Sequence, residues 1–269
     1  MSETTDKLGS IYEKLSSGQR ISRARDDGAG LAIAENLKAD QRIATVAIRN
    51  ANDGISIVAI TDSALEQIGN TLTRLAELAE QSANGIFTPQ QRSALQNEFV
   101  ALSSEIERIA VTTNFNGVAL LSGNATVAFQ VGFDNQSTSL ISYNGVAGTL
   151  ASLGLATTGS SNLNFSINAS TAAAGQSAAQ AALQAVKAAI SSLNTNRGTL
   201  GAAEARLNVA ISNLSVAREN FAAAESRIRD VDVAQAAAEL TRISILQQAG
   251  ASVLAQANQQ PSIALQLLG

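Results

Sequence analysis

The residue types that most often perform catalysis are missing from this 269-residue chain. It contains neither cysteine nor histidine, which excludes a thiol nucleophile, a disulfide framework and the commonest general base and transition-metal ligand. Glu105 and Glu107 are two apart on a predicted helix and point to different sides, which makes a poor acid–base pair. Asp26 and Asp27 lie beside two arginines, as in an ion cluster, and lack the alternating acidic ligands and central glycine of a calcium loop. We therefore expect no enzyme activity, no metal and no cofactor.

The composition favours a helical protein with no nucleic-acid partner. The chain is 45% hydrophobic but only 3% aromatic, with no tryptophan and 2 prolines, which favours thin helical packing over a thick barrel or sandwich core. Its formal charge of -4 and its scattered lysines and arginines oppose nucleic-acid binding. No segment supplies the roughly 20 apolar residues that a membrane span requires. The polar, acidic start predicts that any export proceeds without a cleaved secretory signal.

Long amphipathic helices are predicted at both ends of the chain. A 3-4 spacing of mostly apolar residues runs from Leu183 to Ile228 and contains four charged residues. Two further stripes run from Val58 to Ala79 and from Leu95 to Ile109. Residues 84–91 separate them with an Asn-Gly stop, then a Thr-Pro start with a glutamine three residues after the N-cap. Three antiparallel helices are the simplest way to bury all three stripes.

A polar segment interrupts the helical pattern at mid-chain. Short apolar runs at residues 127–131 and 139–143 flank the turn-forming residues 134–137, which predicts a small β-hairpin too short to form a second large domain. Beyond the last stripe, residues 233–257 form a helix with apolar side chains on more than one side, followed by an apolar end at 261–268. A monomer does not satisfy such a helix, so we expect self-association.

The two ends of the chain resemble the signatures of bacterial flagellins. The strings that carry the resemblance are LSSGQRI at residues 15–21, DDGAGLAIA at 26–34, RNANDGIS at 49–56 and QQAGASVLAQANQ at 247–259. Long strings in the right order at opposite ends make the match specific, and it covers residues 8–122 and 176–269. Because the match begins almost at Met1, the resemblance also implies that the family's usual opening helical segment is missing.

The resemblance implies a filament subunit of the bacterial flagellum with a mainly α fold. Both chain ends form a long antiparallel helical bundle or coiled coil, with a small β-hairpin region at mid-chain. The implied segments are an N-terminal inner-core helix and spoke (1–30), the N-terminal part of the helical body (31–122), the hairpin and loop region (123–175), the C-terminal body helix (176–228), and a spoke with the C-terminal inner-core helix (229–269).

The same resemblance implies site residues, partners and a location. The polymer core contains Leu240, Ile243, Val253, Leu254, Leu265, Leu267 and Leu268; the spoke contains Arg20, Asp26 and Asp27; contact with neighbouring protofilaments or with an innate receptor falls to Arg74, Leu78, Gln81 and Glu98. Implied partners are further copies of the chain, an export chaperone and export apparatus, filament cap and hook-junction proteins and, for the monomer, a Toll-like receptor. Nucleic acid and membrane are not among them. The implied location is the extracellular flagellum.

Three alternatives compete with a filament subunit. A hook–filament junction protein shares the terminal helices, but the closing signature and RNANDGIS favour flagellin proper. A non-polymerising coiled-coil adaptor explains the stripes but neither terminal signature, and it predicts a soluble dimer. A metalloprotease inserted at mid-chain, as in some flagellins, requires histidine ligands that this sequence lacks.

Overall fold

The chain is mainly helical, as predicted. The computed structural model describes residues 2–123, 126–143, 145–157 and 162–268, with the backbone alone for Ser2 and for residues 258–268. The helices of this described part are α1 (Ser2–Ser17), α2 (Gly28–Ala83), α3 (Pro89–Thr112), α4 (Ala172–Arg229) and α5 (Val233–Leu268). Two antiparallel strand pairs lie between α3 and α4 in sequence: β1 (Asn114–Phe115) with β2 (Val118–Ala119), and β3 (Val127–Gln130) with β4 (Leu140–Tyr143).

The chain divides into two compact units. A terminal unit contains Met1–Thr45 and Ser215–Gly269, and a central unit contains Val46–Leu214. Helices α2 and α4 therefore each contribute residues to both units. In the terminal unit, α1 packs against α5.

The central unit buries the three predicted stripes in one core. Helices α2 and α4 run antiparallel there, since Gly54 lies against Leu207 and Gly69 against Leu193. A Cβ atom at Gly54 would lie 3.2 Å from both Leu207 Cδ1 and the Phe129 ring, so glycine permits a close approach. Fully burying a side chain such as leucine stabilises the fold by about 1.5–3 kcal/mol. The deepest stripe residues are Leu65, Ile68, Leu72, Leu75, Phe99, Ile106, Val186, Leu200 and Leu207.

Alanines contribute to the buried face of α4 between the predicted stripe positions. Ala182, Ala189 and Ala203 are buried in the same core as the larger residues. These alanines are not part of the predicted stripe, because the stripe is defined by the 3-4 spacing of large apolar side chains. The helix buries a wider face than the stripe alone predicts.

The break between α2 and α3 has the predicted capping chemistry. Thr88 is the N-cap of α3 and Pro89 is its first residue. Thr88 N donates to Gln91 Oε1 at 2.9 Å, and Gln91 N donates to Thr88 Oγ1 at 3.4 Å. This reciprocal capping box satisfies two helix-end donors that α3 itself cannot.

The mid-chain segment contains the predicted hairpin, and a second strand pair that the sequence reading missed lies just before it. Strands β3 and β4 pair Phe129 with Ile141, and both side chains are buried against the central core. The β1–β2 turn carries positive φ angles at Asn116 (49°) and Gly117 (79°), as a type I′ hairpin turn requires.

Elements of the structure differ from the predicted segment boundaries in three places. Strands β1 and β2 fall inside residues 31–122, which were assigned to the helical body. Helix α4 begins at Ala172, inside the 123–175 segment predicted as hairpin and loop. Helix α2 likewise begins at Gly28, within the segment 1–30 assigned to the first helix and spoke.

Candidate assembly and contact surfaces

Helix α5 presents large apolar side chains on its exposed sides. Ile243 is buried and Leu240 is half-buried in the terminal unit. By contrast, Val253 is 66% exposed and Leu254 is 48% exposed. We name the exposed apolar residues of α1 and α5 the terminal apolar surface; it consists of Tyr12, Val233, Ile245, Leu246, Val253 and Leu254. The predicted core residues Leu265, Leu267 and Leu268 lie outside the described side chains.

The two chain segments predicted to form the spoke hydrogen-bond to each other. Arg20 N donates to Arg229 O at 2.6 Å, and Val231 N donates to Gly18 O at 3.0 Å. The Arg20 side chain adds a third link, because its Nη2 donates to Ile228 O at 2.6 Å. Arg20 therefore joins the segment after α1 to the end of α4 by both its main chain and its guanidinium. Two-strand bonding of this kind fixes where the chain leaves both helices.

Asp26 and Asp27 have different tasks, so the predicted ion cluster is only partly correct. Asp26 Oδ2 accepts from Arg23 N at 3.0 Å and from Ser22 N at 3.3 Å, while Oδ1 lies 3.8 Å from Arg25 Nε. These donors, the Arg23 N–H first among them, hold the pKa of Asp26 below its ordinary value. Asp27 Oδ1 instead accepts from Gly30 N at 2.8 Å. Asp27 thus caps the N-terminus of α2.

A partly buried arginine that the site prediction did not name adds ion pairs at the predicted spoke. Arg229 Nη1 lies 2.7 Å from Glu35 Oε1 and 3.7 Å from Glu225 Oε1. The Arg229 side chain is only 12% exposed. Its main-chain carbonyl is also the acceptor for Arg20 N, so one residue links α4 to both α2 and the spoke.

Three of the four residues predicted for protofilament or receptor contact, Arg74, Gln81 and Glu98, are exposed where α2 and α3 pack side by side. Arg74 Nη2 lies 2.8 Å from Glu98 Oε1, and Arg74 Nη1 lies 2.9 Å from Glu77 Oε2. These hydrogen bonds raise the pKa of Arg74 above its ordinary value. Gln81 is exposed on the same helix. We name Arg74, Glu77, Gln81 and Glu98 the lateral patch; Glu77 was not predicted to belong to it.

Leu78 does not lie on the lateral patch. Its side chain is fully buried and belongs to the core of the central unit. In the folded chain direct contacts therefore fall to the exposed polar residues. A helix residue adjacent in sequence to exposed residues can turn inward, because helix faces repeat every 3.6 residues.

The acidic residues considered for catalysis have structural partners. Glu105 accepts from Arg108 Nε at 2.7 Å, while Glu107 Oε2 accepts from Leu150 N at 2.9 Å. The two carboxylates therefore meet different elements, as their spacing predicted. Within the described residues, no group of three acidic side chains is arranged to hold a metal ion.

Comparison with known proteins identifies the family. Residues 1–126 match the bacterial flagellin N-terminal helical region, and residues 183–268 match the bacterial flagellin C-terminal helical region. The chain belongs to the bacterial flagellin family. It is similar to a flagellin of Halalkalibacterium halodurans, with 43% identity over 257 residues that cover 95% of this chain and 90% of the relative. It is also similar to the flagellar filament 33 kDa core protein of Treponema phagedenis, with 38% identity over 95% of this chain and 90% of that protein.

Solved structures agree with this family. The crystal structure of Bacillus cereus flagellin superposes with a TM-score of 0.51 and 28% identity, covering 62% of this chain and 88% of that one. A putative flagellar hook-associated protein from Vibrio parahaemolyticus gives a TM-score of 0.60 over 76% of this chain and 100% of that one. Its identity is 14%, so this second likeness concerns the fold alone.

Membership of the flagellin family has two direct consequences. The chain is a structural subunit of a bacterial flagellar filament, and it is not an enzyme. The coiled-coil adaptor alternative does not account for family matches at both ends of the chain. In the described part of the chain, the helices are too short or too polar to cross a membrane.

Proposed function

We propose that copies of this flagellin-family chain polymerise into an extracellular filament by burying the terminal apolar surface between subunits. The observation that carries the proposal is the exposure of Val253 and Leu254, on a helix with apolar residues on several sides. Contiguous exposed apolar surface on a soluble chain marks an interface. The family's signature at residues 247–259 coincides with this part of α5.

Folding of the terminal helices is coupled to polymerisation, because the free energy gained by burial offsets the cost of ordering the helices. Each large side chain that leaves water contributes about 1.5–3 kcal/mol, and the terminal apolar surface contains several. This gain offsets the ordering of α1 and α5, since a helix with an unburied stripe is marginal in water. Free subunits therefore have partly frayed terminal helices that become fully helical in the filament.

Arg20, Asp26 and Asp27 act as the spoke that orients the terminal helices. Their bonds fix the segment after α1, the start of α2 and the end of α4 within the terminal unit. Polymer contacts need subunits of one defined shape, so this network sets the geometry that α1 and α5 present.

The lateral patch supports a second contact surface. Arg74 and Glu98 are about half exposed even though they are paired, so both can reorganise toward a partner without unfolding the core. We assign this patch to contacts with neighbouring protofilaments and, in the monomer, to recognition by a Toll-like innate receptor. An exported filament subunit also requires an export chaperone, an export apparatus, and cap and hook-junction proteins as partners.

Charge substitution on α5 tests the polymer interface. Val253→Asp and Leu254→Asp place a carboxylate in the proposed contact, and burying an unpaired charge costs several kcal/mol. We expect sedimentation and electron microscopy to show no filaments, while circular dichroism keeps the helical signal of the central unit.

Val209→Asp is the matched control, because Val209 is 61% exposed on α4 in the central unit. This variant is expected to polymerise. Normal filaments from Val253→Asp and Leu254→Asp would show that this part of α5 does not belong to the interface.

A further inference from the structure

Arg92 carries a buried charge that neither contact surface uses. Its side chain is fully buried in the central unit, in the first turn of α3. Three hydrogen bonds lead from its guanidinium to main-chain carbonyls. Nε donates to Ser82 O at 3.0 Å, Nη2 donates to Asn84 O at 3.0 Å, and Nη1 donates to Ala172 O. Arginine is almost never fully buried unless its donors are satisfied in this way.

Two of these acceptors are carbonyls at the end of α2. Helix α2 ends at Ala83, so Ser82 O has no donor four residues further along a continuing helix, while Asn84 O also accepts from Phe87 N at 3.4 Å. The guanidinium also lies at the negative end of the helix dipole. One side chain thus bonds to both carbonyls at the C-terminal end of α2.

The third acceptor connects this helix end to the start of α4, far away in sequence. A Cβ atom at Gly175 would lie 2.6 Å from Arg92 Nη1, so the guanidinium occupies the space that a side chain there would need. The same region holds two more hydrogen bonds between these parts of the chain. Ser82 Oγ donates to Ile167 O at 2.6 Å, and Ile167 N donates to Gln96 Oε1 at 2.7 Å.

We propose that Arg92 is a latch that makes two distant segments open and close as one unit. The segments are the α2–α3 turn, residues 82–92, and the returning chain, residues 167–175. The guanidinium has five donors in a rigid fork, so separating either segment from it breaks a charged hydrogen bond and leaves a donor of the buried Arg92 side chain unsatisfied. Neither segment therefore opens without loosening the other.

Hydrogen exchange of the full-length chain, followed by mass spectrometry, tests the latch. Arg92→Met keeps the volume and removes every donor, and Arg92→Lys keeps the charge but not the fork. In both variants we expect peptides covering 82–92 and peptides covering 167–175 to exchange about tenfold faster or more, the scale of one lost hydrogen bond to a charged group. Peptides covering residues 58–72 of α2 keep their wild-type rate.

Gly175→Ala perturbs the latch from α4 and leaves residue 92 as arginine. Its methyl group displaces Nη1, so the same two segments exchange faster. Gly198→Ala is the matched control on α4, because nothing lies within 4 Å of its Cβ position, and its exchange stays equal or slows. Acceleration of only one segment, or equal acceleration throughout the central unit, overturns the latch. If Arg92→Met does not fold, Gly175→Ala decides the question.

Discussion

Asp62 on α2 and Arg197 on α4 form a two-point ion pair within the central unit. Arg197 Nε donates to Asp62 Oδ1 at 2.7 Å, and Arg197 Nη2 donates to Asp62 Oδ2 at 3.0 Å. Arg197 is one of the charged positions in the otherwise apolar stripe of α4. Two parallel bonds fix geometry better than one, so this pair sets the register of α2 against α4, a role that polar residues in helical seams often have.

The Asp62–Arg197 pair predicts a small pH dependence of stability. The hydrogen bonds from Arg197 hold the pKa of Asp62 below its ordinary value. A depressed folded-state pKa contributes stability above the unfolded pKa, and this contribution is lost as pH falls through the folded pKa. Because the side chains are 36% and 39% exposed, we expect Asp62→Asn to cost only about 0.5–1 kcal/mol at neutral pH.

Urea denaturation of Asp62→Asn and wild type at neutral and acidic pH checks this expectation. The two proteins should converge in stability at a pH below the folded pKa of Asp62. Asp53→Asn, an exposed aspartate on the same helix, serves as the control and should change stability little. A wild-type advantage that persists unchanged in acid would contradict the assignment.

The cap of α2 predicts that alanine substitutions at two nearby glycines have different effects on stability. A Cβ atom at Gly30 would collide with the Asp27 carboxylate and lie 2.9 Å from Ile21 Cδ1. Gly30→Ala therefore displaces the cap and lowers stability by about 1 kcal/mol, the usual scale of a lost N-cap. Gly28→Ala meets nothing within 4 Å and should be neutral. Thermal denaturation, together with hydrogen-exchange rates for the first turn of α2, distinguishes the two variants. Equal effects of both variants would argue against the cap.

Substitutions in the lateral patch are expected to weaken partner binding while changing the stability of the subunit little. The Arg74–Glu98 pair is exposed, so Arg74→Glu lowers stability by less than about 1 kcal/mol. The double exchange Arg74→Glu with Glu98→Arg restores an ion pair within the subunit but reverses the charges shown to a partner. We expect both variants to bind a purified Toll-like receptor ectodomain at least about tenfold more weakly, the loss expected for a charged contact. Wild-type affinity in the double variant would mean that the patch acts only through its internal pair.

Substitution of the buried Leu78 has a different expected effect from substitution in the patch. Leu78→Ala removes a fully buried side chain from the core, so it should lower the free energy of unfolding by about 2–5 kcal/mol. Chemical denaturation measures this loss, and Gln81→Ala, an exposed neighbour, should change it by less than about 0.5 kcal/mol. A neutral Leu78→Ala would contradict the burial of Leu78 in the core.

The parts of the fold that follow a local pattern could be predicted from the sequence. The stripe from Val58 to Ala79 is buried as its period required, and Thr88 caps α3 as its spacing to Gln91 required. Both signals act within one or two helical turns. The hairpin at residues 127–143 likewise followed from alternation and turn residues.

The features that the sequence reading missed depend on distant residues or very short elements. Arg92 reads as a surface residue, because one of its acceptors, Ala172, lies 80 positions away. Strands β1 and β2 have two residues each and show no alternation, although Asn116-Gly117 between Phe115 and Val118 is a hairpin signal that was available. Asp27 was grouped with Asp26 by charge, whereas its place before α2 indicates a cap.

Hydrogen exchange of α5 in the free subunit and in the polymer tests the central claim most directly. If the terminal apolar surface is the polymer interface, amides of residues 233–257 exchange rapidly in the monomer and become strongly protected in filaments. Residues 58–79 of α2 should be protected in both states. The opposite result, an α5 that is equally protected before and after assembly or remains unprotected in filaments, would contradict the account.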